Sequence, residues 1–268
     1  MLVDQVRDAL DRGEDHLSGR QRDIIANSFT LEKKIYEGSL TQVYRARHRD
    51  LGTWHAIKTL RDDHARDPIA RRLLLREAEI GLMLRHPNIV AMQTLLRLGD
   101  GRPALVSEWS GKRLGDQLGQ APWSIDDIRT VMEKVLVALE AIHQVGFVHC
   151  DLSPSNLLIS KHELTEARLG DFGITISIGA RHADVDLAFA GQPDFAAPEQ
   201  QKGLPLDGRC DLYAAGRLLA LLLDHADTVG SNHAASLRAL ARTLSATDPD
   251  ARPDSAKAAL ALLGSSRT

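Results

Sequence analysis

The sequence predicts an α+β protein in which a small antiparallel sheet comes first and a mostly helical part follows. Three observations carry that expectation. Between Phe29 and Trp109, short runs of β-branched and aromatic residues alternate with glycine- and aspartate-containing turns. From Ile125 onward, long segments place apolar residues at helical spacing. The chain has 268 residues, 43% of them hydrophobic, enough to bury a substantial core.

Leu2, Val3, Val6 and Leu10 recur at helical spacing and predict an amphipathic helix ending near Gly13, within an extension over residues 1–28. Such a helix either pads the sheet or meets a partner. Ile35 to Ala46 reads as strand, turn, strand, and Thr53 to Lys58 as a third strand after the Asp50 to Gly52 turn. A helix over Pro68 to Leu84 follows. Two more strands, Ala91 to Leu98 and Pro103 to Trp109, flank the Gly99-Asp100-Gly101 turn. Gly111 to Gln120 reads as a linker with a short helix.

Ile125 to His143 is the longest helix, with Ile128, Val131, Met132, Val135, Leu139 and Ile142 on its buried face and Ser124 as its cap. Glu163 to Leu169 reads as the second strand of a small hairpin, and Ile174 to Asp194 as a flexible segment. The apolar run through Leu223 predicts a central helix beginning at Asp211. Beyond it, Asp224 to Asn232 is rich in turn residues, and helices from near Ala234 and over Ser255 to Leu263 close the chain.

A formal charge of −3 gives no support for nucleic-acid binding. The arginines at 71–72 and between 45 and 49 read as solvated surface. The two cysteines, Cys150 and Cys210, lack metal-pair spacing and form no disulfide framework, which fits a reducing compartment. The first residues lack a secretory apolar core, and runs such as Leu218 to Leu223 are too short to span a bilayer. The expectation is a soluble, cytoplasmic chain with no nucleic-acid partner and no membrane contact in this segment.

The chemistry concentrates in His149-Cys150-Asp151-Leu152-Ser153-Pro154-Ser155-Asn156 and, after a short hydrophobic run, Asp171-Phe172-Gly173. Proline and short polar residues make the first stretch a loop, yet apolar segments on either side draw it inward, so its polar groups need partners. Two aspartates and an asparagine brought together suit a hydrated divalent cation and an incoming hydroxyl, the equipment of phosphoryl transfer.

The pattern H-x-D-L-x-x-x-N, then D-F-G, then Ala197-Pro198-Glu199, then Asp211 to Gly216 as D-x-x-x-x-G, resembles the protein kinase superfamily. The likeness is to bacterial serine/threonine protein kinases of the eukaryotic-like type, and it runs from about Phe29 to about Leu263. It implies a two-lobed fold, with residues 29–109 as an N-lobe of antiparallel sheet plus helix C and residues 110–268 as a mostly helical C-lobe whose helix G region is short or missing. It further implies ATP and Mg2+ as cofactors, and a protein substrate or regulated protein partner.

Residue by residue, the resemblance makes Asp151 the catalytic base, Asn156 and Asp171 the magnesium ligands, and Lys58 the contact to the phosphates. A lysine ending a strand would otherwise be a solvent-facing side chain. Of Glu77 and Glu79, which cannot both face one point of the helix, the family's spacing selects Glu77 as the partner of Lys58. Gly38, Val43, Ala56, Ser107 as gatekeeper, Glu108 and Trp109 would line the nucleotide site. Asp211 would accept amides from the catalytic loop, and Arg252 would pair with Glu199.

The departures are specific. Tyr36, Gly38 and Thr41 stand at the three glycines of the phosphate loop, leaving one glycine where the family has three. Cys150 replaces the arginine that receives an activation-segment phosphate, so control of Thr175 or Ser177 through that ion pair is not expected. Ser153 replaces a lysine that stabilises the transferring phosphoryl group, and Gln192 replaces the threonine that touches it. Two readings follow: a serine/threonine kinase using Asp151, or a pseudokinase, a nucleotide-binding regulatory or scaffold module.

Overall fold

The computed structural model describes residues 24–25, 27–160, 163–187, 191–227 and 232–265. The N-terminal amphipathic helix lies outside them. The described chain falls into two compact units. The first takes in the described residues up to Leu75 together with Gln93–Trp109, and the second Arg76–Met92 with the described residues from Ser110 onward.

The first unit is built on a six-stranded sheet of order β1-β2-β3-β4-β6-β5. Its strands are β1 (Ile24–Ile25), β2 (Phe29–Glu37), β3 (Thr41–His48), β4 (Trp54–Leu60), β5 (Met92–Arg97) and β6 (Pro103–Glu108). The neighbours β1 to β4 and β4 with β6 pair antiparallel. Phe29, Ala46, Ile57, Ala104 and Val106 form the core on one face, because each strand alternates side chains between faces. The division between units falls inside the helix α1 (Pro68–Met83). Before it, Arg71 Nη1 donates to Gly101 O at 2.9 Å. After it, Gly81 packs so tightly on Met92 that a Cβ there would come within 2.6 Å of that side chain.

The second unit is mostly helical. β7 (Lys112–Arg113) joins β9 (Leu157–Ser160) and β10 (Glu163–Leu169) in a three-stranded sheet, and β8 (Phe147–Val148) pairs with β11 (Ile176–Ser177). The helices are α2 (Ile125–Gln144), α3 (Pro198–Gln201), α4 (Gly208–Asp224), α5 (Asn232–Leu244) and α6 (Ala256–Ser265). Ser124 caps α2 by accepting from Asp127 N at 3.1 Å, as the sequence led us to expect, and the predicted apolar face of α2 is buried. In α4, Leu212, Leu218, Leu219 and Leu222 are fully buried, which makes it the central helix. Gly216 lets α4 and α5 cross backbone to backbone: a Cβ there would lie 2.7 Å from Ser245 N and 2.8 Å from Ala241 O.

The described residues between α4 and α5, 225–227, hold no helix. No described helix is long and apolar enough to cross a membrane.

Candidate functional site

In the first unit, register gathers the expected nucleotide residues on one sheet face. Val43 lies opposite Lys58, and Ala56 lies opposite Ser107; directly opposed residues share a face. Ser107 Oγ donates to Ala56 O at 3.5 Å. Glu108 ends β6 and Trp109 follows it. The guanidinium of Arg45, from the same sheet, stacks 4.5 Å over Trp54 and 5.9 Å from the Trp109 ring, and Nη2 meets Glu32 at 3.1 Å.

The β2–β3 turn carries the reduced glycine set. Gly38 N donates to Thr41 O at 2.8 Å, closing the turn, and the Tyr36 ring covers Gly38, where a Cβ would approach it to 3.0 Å. Arg61 Nη1 donates to Gly38 O at 3.1 Å and faces Glu37 at 3.5 Å. Glu37 also pairs with Lys34, whose hydrogen bond is the main cause holding the Glu37 carboxyl below its usual range.

In the second unit the acidic loop hangs from one buried carboxylate. Asp211 on α4 is 1% exposed; its Oδ2 accepts from His149 N and its Oδ1 from Cys150 N, each at 2.8 Å. His143 Nε2 reaches the same Oδ2 at 2.8 Å. Burial pushes the Asp211 carboxyl up, but the His143 hydrogen bond, the nearby imidazoles and the loop amide outweigh it, and the net shift is downward. These bonds hold Cys150 at φ 67°, a left-handed conformation costly for a side chain with a Cβ.

His149 turns the loop towards the D-F-G segment. Its Nδ1 accepts from Asp151 N at 3.2 Å, which leaves the ring proton on Nε2 to donate to Gly170 O at 3.2 Å. The ring is fully buried, edge-on to Phe172 at 5.4 Å, and burial lowers its pKa. A neutral imidazole with both nitrogens engaged supports the loop.

Asp151 and Asn156 meet directly. Asn156 Nδ2 donates to Asp151 Oδ2 at 2.7 Å and to Asp151 O at 2.9 Å, which commits both amide hydrogens and leaves Oδ1 as the oxygen that group can offer a cation. Gly170 N donates to Asn156 O at 2.9 Å, so Asp171 begins one residue beyond a bond to the same loop. Asp171 is itself at φ 64°, with Oδ1 accepting from Gly173 N at 3.2 Å. An amide oxygen and a carboxylate form a hard, all-oxygen donor pair, which fits Mg2+.

The substitutions also find their places. The Cys150 thiol is buried among Val148, Ile176, Ala197 and Leu206, and burial pushes its pKa up. Gln192 Nε2 donates to Ser153 Oγ at 2.7 Å and to Ser155 Oγ at 2.6 Å, so the two altered positions are in contact. Residues 174–187, expected to be flexible, are instead tied down. β11 pairs with β8, Ile178 N donates to Gly146 O, and Gly179 N donates to Leu206 O. Thr175, a candidate phosphorylation site, is fully buried with Oγ1 donating to His149 O at 3.2 Å, while Ser177 is exposed.

On α1, Glu77 is buried at 3% exposure and Glu79 is exposed, and Arg76 Nη2 donates to Thr175 O. Lys58 thus lies in the first unit and Glu77 in the second. Arg252 pairs with Glu199 through two bonds of 2.6 and 3.0 Å, as expected. Sequence reasoning missed His143, Ser155 and Gln200, whose Nε2 donates to Cys150 O at 2.8 Å. Their only signal was a polar side chain beside a motif.

Residues 29–260 match the model of the protein kinase domain. The chain belongs to the protein kinase family. The kinase domain is 34% identical over 202 residues to the serine/threonine-protein kinase PknJ of Mycobacterium tuberculosis, covering 73% of this chain and 33% of that protein. It is 30% identical over 207 residues to the serine/threonine-protein kinase pkn3 of Myxococcus xanthus, covering 74% and 38%. The kinase domain therefore spans about a third of the length of these curated relatives. Its fold is that of the Mycobacterium tuberculosis PknI kinase domain, with a TM-score of 0.66 at 22% identity over 91% of this chain and 97% of that one.

Proposed function

We propose that this kinase domain transfers the γ-phosphoryl group of ATP to a serine or threonine hydroxyl of a protein, with Asp151 accepting or orienting the hydroxyl proton. The observation that carries the reading is the Asn156 bond to the Asp151 carboxylate at 2.7 Å, on a loop suspended from Asp211. That bond fixes the direction of the base, and positioning is most of what phosphoryl transfer asks of a protein.

Val43, Ala56 and Ser107, with the backbone of Glu108 and Trp109, take the adenine; Gly38 and Lys58 take the phosphates, with Glu77 holding Lys58. Asn156 Oδ1 and the Asp171 carboxylate hold Mg2+, which, when bound, offsets charge on the phosphate oxygens. The partner is a protein substrate, recognised through the second unit.

A second reading, a nucleotide-binding regulatory module with little transfer, draws on the turn at Gly38. Its amide is committed to Thr41 O and the Tyr36 ring covers it, so phosphates find fewer backbone donors there. The deciding experiment is transfer of labelled phosphate from magnesium-ATP to itself or to a generic basic protein. The wild type should incorporate acid-stable label, and Asp151→Ala should lose it by about 100-fold or more. Equal incorporation by both overturns Asp151 as the base. Magnesium-dependent ATP binding without incorporation moves the assignment to the regulatory module.

A further inference from the structure

Gln192, Ser153 and Ser155 form a closed ring of hydrogen bonds, and counting its hydrogens gives a result the sequence did not contain. The two Gln192 amide hydrogens go to the two serine oxygens, at 2.7 and 2.6 Å. The serine oxygens lie 2.8 Å apart, so one hydroxyl donates to the other. Ser153 is fully buried, and among the described residues its hydroxyl meets only Ser155 and Gln192. If Ser155 were the donor, the Ser153 hydrogen would be buried without an acceptor, a state folded proteins avoid.

The direction is therefore Ser153 to Ser155. Ser155 then accepts twice, from Ser153 and Gln192, which fills both its lone pairs and leaves its own hydrogen for a group outside the ring. Towards any group outside the ring, Ser155 can only donate.

It faces a cleft. Ser155 and Gln192 line a cavity of about 630 Å³ in the second unit. Pro154, Phe195 and Leu221 supply apolar surface there, while Arg113, Arg217 and Asp224 supply charge. Apolar surface with a few directed polar groups suits an extended peptide, whose main chain offers a regular series of carbonyl acceptors.

We propose that Ser155, rather than Ser153, is the substrate-facing hydroxyl of this loop. It donates to a main-chain carbonyl of the protein segment held in this cleft, with Gln192 as the positioning residue that holds its oxygen as an acceptor and so leaves its hydrogen to the cleft. The proposal deepens the kinase reading and rests on it. It assigns the loop's departure from the family lysine to recognition of the acceptor segment.

An arrayed serine/threonine peptide library supplies the probe. With the best wild-type peptide as substrate, Ser155→Ala should raise the peptide KM about tenfold, with kcat and the KM for ATP within about twofold of wild type. Ser155→Thr, which keeps the hydroxyl, should restore the KM. Ser153→Ala leaves the Ser155 hydrogen in place and should move the peptide KM less than about threefold.

An unchanged KM in Ser155→Ala overturns the proposal, as does a fall in kcat at constant KM, or an equal effect of Ser153→Ala. The Asp151→Ala protein separates the two claims. If wild type and Asp151→Ala transfer alike, the kinase reading fails, and peptide retention on the same array decides the inference. Weaker retention by Ser155→Ala than by wild type supports it, and equal retention overturns it.

Discussion

At Gly38 the chain is held by exposed ion pairs, Glu37 with Lys34 and with Arg61. At Asp151 it is held by a buried carboxylate that accepts two backbone amides and meets a histidine. Both regions depart from the family motifs, but the departures differ in kind. In the turn, Tyr36 and Thr41 replace glycines within one hairpin, and the change is absorbed by a ring lying on its own neighbour's backbone. In the loop, Ser153 and Gln192 stand 39 residues apart in the chain and are bonded to each other. Solvated ion pairs are screened and weakly directional, whereas buried bonds to a charge fix geometry. The turn's departures stay within one hairpin, whereas the loop's two departures meet in a single hydrogen-bonded set, so a change at one loop position reaches the other.

The largest test removes the loop's suspension. Asp211→Ala leaves two buried amides without their acceptor and should destabilise the protein by about 3–5 kcal/mol in urea denaturation. Asp211→Asn should be nearly as damaging, because its amide nitrogen would point a donor at a donor. Glu37→Gln, in the turn, should leave the midpoint where it is. Similar losses from Asp211→Ala and Glu37→Gln would erase the distinction.

Next comes pH. Burial lowers the pKa of His149 and of His182 and His86 in the same unit, so each neutral form is favoured by folding. A depressed folded pKa contributes stability that is present above the ordinary value of 6.5 and lost as pH falls through the folded value. Asp211 and Glu37 are also depressed, but from carboxylate values, so they act only in stronger acid. The melting temperature should therefore drop between pH 7.5 and 5.5, and His149→Gln should flatten that drop. An unchanged slope in the variant would show that the loop histidine does not carry it.

The third test concerns the bonded pair. Ser153→Lys alone aims an ammonium at the Gln192 amide hydrogens, and Gln192→Thr alone deprives both serines of a donor. Each should lower peptide phosphorylation. The double variant restores the family's contact set and should exceed either single by about tenfold, which makes the coupling larger than about 1.4 kcal/mol. Additive losses would mean the two positions changed independently.

How far the sequence reached follows from the kind of signal involved. The order of strands and helices was legible because apolar periodicity reports burial along a contiguous segment. The roles expected of Asp211 and Arg252 were legible because ordered motifs from the kinase resemblance reached those positions. Three things were not legible. The ring of Gln192, Ser153 and Ser155 depends on which hydroxyl is buried, which spacing does not encode. Cys150 and Asp171 adopt positive φ without glycine, so composition carries no mark of it. The 174–187 segment reads as loop, yet it is fastened by backbone bonds to residues 146–148 and 206, and backbone bonds leave no side-chain signature.

The smallest effect is expected at the turn. Tyr36 stands at the first family glycine, and its ring sits where a Cβ on Gly38 would meet it at 3.0 Å. Tyr36→Gly uncovers that backbone. It also adds freedom to the unfolded chain, which should lower stability by no more than about 1 kcal/mol. Nucleotide affinity should move the other way: in a thermal-shift titration, the apparent Kd for magnesium-ATP should fall about threefold, because phosphates can then approach the turn. A rise in Kd would mean that the ring is part of the nucleotide's seat and that one glycine suffices by design. No change would place the control of affinity on Lys58, and the turn would then be free to vary without consequence for the chemistry.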